Sequence, residues 1–299
     1  MKTQEHLISK EITAFIIDRQ ARQLSPRSIQ FYQNELDWFL AWCAPQRIST
    51  MTAITPDLLR QYLIDLATHR NPQGVHASYR ALKAFLNWYT FELDLDPRYN
   101  PIRKVSPPRI NTDPLPGIPT AHIQAMLATC THTHLGQRDR AMILFLLDTG
   151  LRKTEFTRLN YGNIDLKTGA VTILKGKGAK DRTVFLGNRC RRELIRYLRY
   201  RGDLAPNSPL FTKSTLERLT PAGLRQVIRR RSLQANIPDP QVHDFRRTFA
   251  IECLRNGVDL ITLMRLMGHT DTKVLQRYLK LLDTDLRSSH ERTSPADAL

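Results

Sequence analysis

The sequence predicts a mainly α-helical protein of two domains, with a small antiparallel β-sheet confined to the second. Apolar residues recur at three- and four-residue spacing along most of the chain, β-branched residues cluster only between 164 and 186, and one proline-rich stretch divides the two parts. With 299 residues, 41 % of them hydrophobic, there is enough apolar material to fill a core on each side of that division.

Four helices are expected before the break, at about 5–20, 26–43, 56–68 and 74–93. Ser25-Pro26 and Thr55-Pro56 are start signals for the second and third. A hydroxyl can accept from the free amides of the first turn, and proline's fixed φ suits the first helical position. Phe31, Trp38, Phe39, Trp42, Phe85, Trp88 and Tyr89 fall at helical spacing and are expected in the core. Val105 to Pro119 carries five prolines in fifteen residues, a composition that breaks helix and strand and favours an extended connector. The resulting division is a helical domain at 1–106, a linker at 107–118, a second domain at 119–282 and a polar tail at 283–299.

In the second domain Thr120 is expected to cap a helix running through Ala128. Arg138–Asp148 reads as a buried helix, and a short helix starts at Arg152. Three short strands are expected at Ile164–Leu166, Ala170–Leu174 and Arg182–Leu186, turning at Gly169 and at Gly176/Gly178. Helices resume at about 188–201, 220–236, 242–256, 259–267 and 272–282.

Lys and Arg number 45 against 28 Asp and Glu, a net charge of +17, which points to a polyanionic partner. Residues 1–106 hold 13 basic and 10 acidic residues, and 107–299 hold 32 and 18, so the second part carries most of the excess. Arginines crowd two of its expected helices: Arg189, Arg191, Arg192, Arg196, Arg199 and Arg201 on one, Arg225, Arg229, Arg230 and Arg231 on the other. That crowding favours phosphate contacts. No apolar run approaches the ~20 residues of a membrane span, and the N-terminus has no secretory pattern, so a cytoplasmic location is expected. Cys43, Cys130, Cys190 and Cys253 are too far apart in sequence to suggest a disulfide framework or zinc site, and His132 and His134 lack further ligands nearby. No metal and no cofactor are expected.

Four short pieces of the second domain carry chemistry: Thr149-Gly-Leu-Arg152-Lys-Thr-Glu155, Lys175-Gly-Lys177-Gly-Ala-Lys180-Asp-Arg182, His243-Asp-Phe-Arg246-Arg247, and Leu266-Met-Gly-His269 followed by Tyr278. Singly each has an ordinary explanation, such as a helix cap, a solvated turn or a packing tyrosine. In this order and spacing they resemble the active site of the tyrosine recombinases, also called the phage integrase family. The resemblance covers essentially all of 119–282. The segment from Ser25 to Tyr32 is similar to part of the family's helical core-binding domain, which has a SAM-like fold, and the second domain to its α+β catalytic domain. The whole looks like a compact Xer- or Cre-like member, without the arm-binding domain of larger phage integrases.

The resemblance implies a site-specific enzyme that cleaves and rejoins DNA through a 3'-phosphotyrosyl intermediate, without metal or ATP, as a homo- or hetero-tetramer on two duplex sites in the nucleoid. Its catalytic set maps to Arg152, Lys177, His243, Arg246, His269 and Tyr278. The residue types suit the reaction. Guanidinium forks match the nonbridging phosphate oxygens, where negative charge grows during attack. His243 and Arg246, three residues apart on a helix, share a face, and a tyrosine with an ordinary pKa near 10 needs a base such as His243 to take its proton. Similarity to the family's hairpin lysine makes Lys177 the proton donor to the leaving hydroxyl, and His269 a donor to the same phosphate. Glu155 is expected to orient its neighbours. Arg182, Arg191, Arg192, Arg229, Arg230 and Arg247 are candidate DNA contacts. Thr154, Phe156 and Phe185 depart from common family residues at what are expected to be packing positions. Two other readings are a type IB topoisomerase and a DNA-binding regulator that has lost activity; the intact catalytic set speaks against the latter.

Overall fold

The computed structural model describes residues 6–110, 115–174, 181–268, 294 and 296. The chain forms two compact units, Met1–Thr112 and Asp113–Leu299.

The first unit is built on α1 (Ile8–Ala21), α2 (Pro26–Cys43), α3 (Pro56–Ala67) and α4 (Pro72–Glu92). The start signals act as expected. Ser25 Oγ accepts from the Ser28 amide at 3.2 Å and Thr55 Oγ1 from the Leu58 amide at 3.1 Å, each with proline in the first turn. Asn71 caps α4 in the same way, through the Gly74 amide at 2.8 Å. The long α4 packs against the other three helices, and Phe15, Leu36, Phe39, Leu59, Tyr62 and Phe85 are buried together around it. One buried carboxylate, Glu35, is held by both arms of the Arg70 fork at 2.6 and 2.9 Å. Trp38 departs from the expected core set. It stands on the outer face of α2 with 56 % of its surface exposed, and Arg70 lies over its ring.

The second unit is organised on α6 (His134–Thr149), whose residues from Ala141 to Leu146 are all buried. Against it pack α8 (Asn188–Arg199) and α10 (Val242–Arg255). Phe145, Phe156, Phe211 and Tyr197 form the aromatic centre, with Phe156 and Phe211 stacked at 4.8 Å. The helices α5 (Thr120–Ala128), α7 (Lys153–Arg158), α9 (Pro221–Gln234) and α11 (Leu260–Met267) complete its described helices. Strands β1 (Ala170–Ile173) and β2 (Arg182–Phe185) pair antiparallel, Val171 opposite Val184 and Ile173 opposite Arg182.

Several boundaries move for local reasons. The Ile164–Leu166 stretch contributes one bridge, Ile164 to Val171, in place of a third strand, because the chain is turning through Tyr161–Asn163 just before it. Thr120 is the first residue of α5 and makes no cap, while Thr133 caps α6, which begins at His134, four residues before the expected Arg138–Asp148 helix. Phe156 is a packing residue as expected, but Phe185 points outward at the edge of β2 and Thr154 is exposed. The expected helix at 272–282 and the tail at 283–299 lie, but for Ser294 and Ala296, outside the described residues. His134 packs its ring on Tyr197 at 5.5 Å, and burial pushes the thiols of Cys43 and Cys253 up to about 11.

Much of the arginine excess on α9 is used inside the domain. Asp139, with none of its surface exposed, receives Arg138 Nε and Nη2 on one oxygen at 3.0 and 2.7 Å. Arg230 Nη2, Arg231 Nε and Arg231 Nη2 bond its other oxygen at 2.8, 2.9 and 2.7 Å. Arg231 also reaches the Thr129 carbonyl at 2.7 Å, so α9 is fastened to α6 through the Asp139 carboxylate and to the end of α5 through a main-chain oxygen. Arg225 pairs with Asp239 through both arms of its fork. Of the candidate DNA contacts on this helix, Arg229 and Arg230 are both exposed, Arg230 with one arm on Asp139. Removing the charge of Asp139 leaves buried guanidiniums uncompensated. The variant Asp139→Asn is expected to lose about 3 kcal/mol or more of unfolding free energy, measured by urea denaturation at neutral pH.

Candidate active site

The site begins where α6 ends. Gly150 closes that helix in the left-handed region at φ 57°, and a Cβ there would lie 2.4 Å from the Phe249 ring, so glycine is required twice over. The chain then buries Leu151 and presents Arg152 at the N-terminus of α7, its side chain 41 % exposed. Glu155, three residues on, reaches back so that its Oε2 accepts the Arg152 backbone N–H at 2.9 Å, while its Oε1 accepts Arg152 Nη1 at 2.9 Å. The same carboxylate takes Arg182 as a fork, Nη1 on Oε1 at 2.9 Å and Nη2 on Oε2 at 2.8 Å. Glu155 thus collects four hydrogen bonds, the capacity of a carboxylate.

A second set of acceptors lies at the C-terminus of α11, where the last carbonyls have no partner within the helix and carry the negative end of its dipole. Three successive ones are met by three different arginines. Arg182 Nε donates to Leu266 O at 2.9 Å, Arg246 Nη2 to Met267 O at 2.7 Å, and Arg152 Nη2 to Gly268 O at 3.3 Å. Arg246, only 1 % exposed, also donates through Nη1 to the Gly150 carbonyl at 2.6 Å, which joins the end of α6 to the end of α11.

His243 lies in the first turn of α10, where the Asp244 carboxylate accepts the Gln241 amide at 2.9 Å. Arg152 and His243 line one cavity of about 320 Å³ together with Leu151, Lys153, Arg225, Gln241 and Val242. The imidazole pKa lies below its usual value. Withdrawal from water is the larger cause, and the guanidiniums of Arg246, Arg247 and Arg152 add to it against a smaller opposing pull from Asp244. At neutral pH the ring is therefore uncharged and able to accept a proton.

The structure brings Arg152 and His243 to one cavity, binds the buried Arg246 to the carbonyls of Gly150 and Met267, and makes Glu155 the holder of Arg152. Lys177, His269 and Tyr278 lie outside the described residues. Arg182, a candidate DNA contact, is turned into the protein. Its side chain is 7 % exposed and its donors face Glu155 and Leu266, because a carboxylate buried between two arginine-bearing elements needs both. Arg247 likewise folds back onto Asp244, and Arg191 onto Asn188 and the Lys167 carbonyl. Arg192 is exposed. Lys153 and Arg225 line the cavity as well; neither was among the candidate catalytic residues, although Arg225 belongs to the arginine-crowded helix. Lys153 stood beside a stronger candidate, and only Asp239, fourteen residues beyond Arg225, marks that arginine off from Arg229.

Residues 118–285, more than half of the chain, match the Phage integrase family. The chain belongs to that family, the tyrosine recombinases. The matched span contains all six residues of the motif series, from Arg152 to Tyr278. Among integrase-family relatives, the chain is 31 % identical to tyrosine recombinase XerC of Pelobacter propionicus, over 96 % of each protein. It is 28 % identical to the XerC of Pseudomonas fluorescens, over 93 % of each. The XerA recombinase crystal structure aligns with 96 % of this integrase-family chain and 99 % of its own at 25 % identity, with a TM-score of 0.54. A Tn1549 transposon integrase, solved in complex with transposon right-end DNA, shares the fold over 96 % of this chain and 99 % of its own at 17 % identity, with a TM-score of 0.77.

Burial by itself would raise the Glu155 carboxyl, but the Arg182 hydrogen bonds, the Arg152 amide and both positive charges outweigh it and hold the group at about 2. A lowered carboxyl pKa stabilises the fold above the ordinary value near 4.5, and that contribution is lost as pH falls toward 2. The variant Glu155→Gln is therefore expected to be less stable than the parent by roughly 3 kcal/mol at pH 7. The gap should narrow between pH 4.5 and 2, followed by urea unfolding across that range.

Proposed function

We propose that this chain is a site-specific DNA recombinase that breaks and rejoins strands by transesterification. The observation that carries the reading is the cavity lined by the partly exposed Arg152 and by His243, within a chain that matches XerC over nearly its whole length. In the proposed reaction the Tyr278 oxygen attacks a phosphorus of the DNA backbone and His243 takes the phenolic proton. Arg152 and Arg246 hold the nonbridging oxygens as charge builds on them. The bond from phosphorus to the 5'-oxygen breaks, Lys177 protonates the departing hydroxyl, and a 3'-phosphotyrosyl ester remains. Attack by a 5'-hydroxyl from another strand reverses these steps. One ester replaces another, so no nucleotide is consumed. His269 donates to the same phosphate.

The first unit serves as the core-binding domain, and the second, through residue 282, as the catalytic domain. Four protomers, identical or of two kinds, act on two duplex sites in the cytoplasm at the nucleoid. Among the described residues no helix is long and apolar enough to cross a membrane. Exposed Arg192 and Arg229 contact the DNA backbone, as the charge of the second part favours. Arg191, Arg230 and Arg247 contribute positive potential from their paired positions.

Incubation with a nicked suicide substrate carrying a cognate site is expected to give a denaturant-resistant protein–DNA adduct with the parent protein and none with Tyr278→Phe. An adduct that persists in the Phe variant overturns the assignment of the nucleophile. Arg152→Ala is expected to lower the single-turnover cleavage rate by about 10²-fold or more, the usual cost of removing a donor to developing charge. In a gel-shift titration its site affinity should change only a few-fold. Equal loss of binding and cleavage would mark Arg152 as structural.

A further inference from the structure

Arg182 occupies the first position of β2, five residues beyond Lys177 in sequence, and its side chain is turned into the protein. Its two arms grip both oxygens of Glu155, and its Nε holds the Leu266 carbonyl. Space for this is left by Gly268, where a Cβ would come within 3.0 to 3.1 Å of the Arg182 guanidinium. The Glu155 Oε1 that accepts Arg182 Nη1 is the same atom that accepts Arg152 Nη1, both at 2.9 Å.

Charge makes this arrangement more than a brace. An isolated pair of Arg152 and Glu155 is neutral toward an approaching phosphate, since the carboxylate cancels the guanidinium beside it. A second guanidinium on the same carboxylate restores a net positive charge to the cluster and fixes the plane of Glu155, and with it the direction of the Arg152 fork. We propose that Arg182 is a positioning residue of the transesterification: it neutralises and orients Glu155 so that Arg152 keeps both its charge and its aim for the phosphate, and ties that pair to the end of α11. This rests on the DNA-cleavage reading above. It assigns Arg182 no contact with DNA.

The test measures single-turnover cleavage of the nicked substrate, site affinity by gel shift across a salt series, and melting temperature for Arg182→Lys, Arg182→Gln, Glu155→Gln and the Arg182→Gln/Glu155→Gln double variant. Arg182→Gln is expected to slow cleavage about 100-fold, the scale of a misplaced catalytic group. Arg182→Lys keeps the charge and loses the fork, so it should recover part of that loss. Site affinity should stay within about 3-fold of the parent with an unchanged salt slope, because no phosphate contact is removed. The double variant should cleave no more slowly than Arg182→Gln alone, because the arginine acts through the carboxylate.

Unchanged cleavage in both Arg182 variants overturns the proposal, as do losses that multiply in the double variant. Affinity that falls in step with cleavage, with the salt slope reduced by about one, also overturns it by making Arg182 a direct phosphate contact. Should Arg182→Gln melt below the assay temperature, the Lys variant, which retains the buried positive charge, carries the same comparison. A parent protein that forms no adduct sinks the cleavage reading itself, whereas failure confined to the Arg182 variants sinks only this inference.

Discussion

The arrangement of the second unit depends on the meeting of guanidinium groups with the exposed carbonyls at the end of α11. A helix terminus left without partners inside a protein is costly, and cations are the natural complement to its partial negative charge. Here the carbonyls of Leu266, Met267 and Gly268 are satisfied by arginines from β2, α10 and the N-terminus of α7. The same contacts that finish one helix therefore converge three positive charges drawn from elements distant in sequence, and one of them, Arg152, lines the cavity that holds His243.

Concentrated positive charge would repel itself without a fixed counterweight, and Glu155 supplies one. Its pKa of about 2 records how strongly the surroundings favour the ionised form. A similar solution operates farther from the cavity, where Asp139 gathers Arg138, Arg230 and Arg231. Each carboxylate leaves one cation partly open, Arg230 at Asp139 with 48 % of its side-chain surface exposed and Arg152 at Glu155 with 41 %. Of the two, Arg152 lines the cavity that also holds His243.

What could be read in advance followed from local rules. Ser25-Pro26 and Thr55-Pro56 act within a single turn, and the buried run of α6 is visible in its composition alone, so these elements appear where periodicity puts them. The pairing of His243 with Arg246 was legible because helical spacing fixes their shared face. The direction of long arginine side chains was not. Whether Arg182 or Arg231 faces solvent or a carboxylate is decided by Glu155 and Asp139, which lie 27 and 92 residues away along the chain, and no window of sequence contains both partners. Trp38 shows the reverse, since helical spacing placed it with the core aromatics while the packing of α2 left it outside.

Arg246 is anchored to the main chain at both ends of its fork, to oxygens of residues 150 and 267. Main-chain atoms are present whatever side chain a position bears. Substitutions along α6 and α11 can accordingly accumulate without shifting the guanidinium, so long as each helix still stops where it does. The location of this charge is thereby insulated from divergence in its immediate neighbours, and the glycines that end the two helices are the positions where that insulation fails.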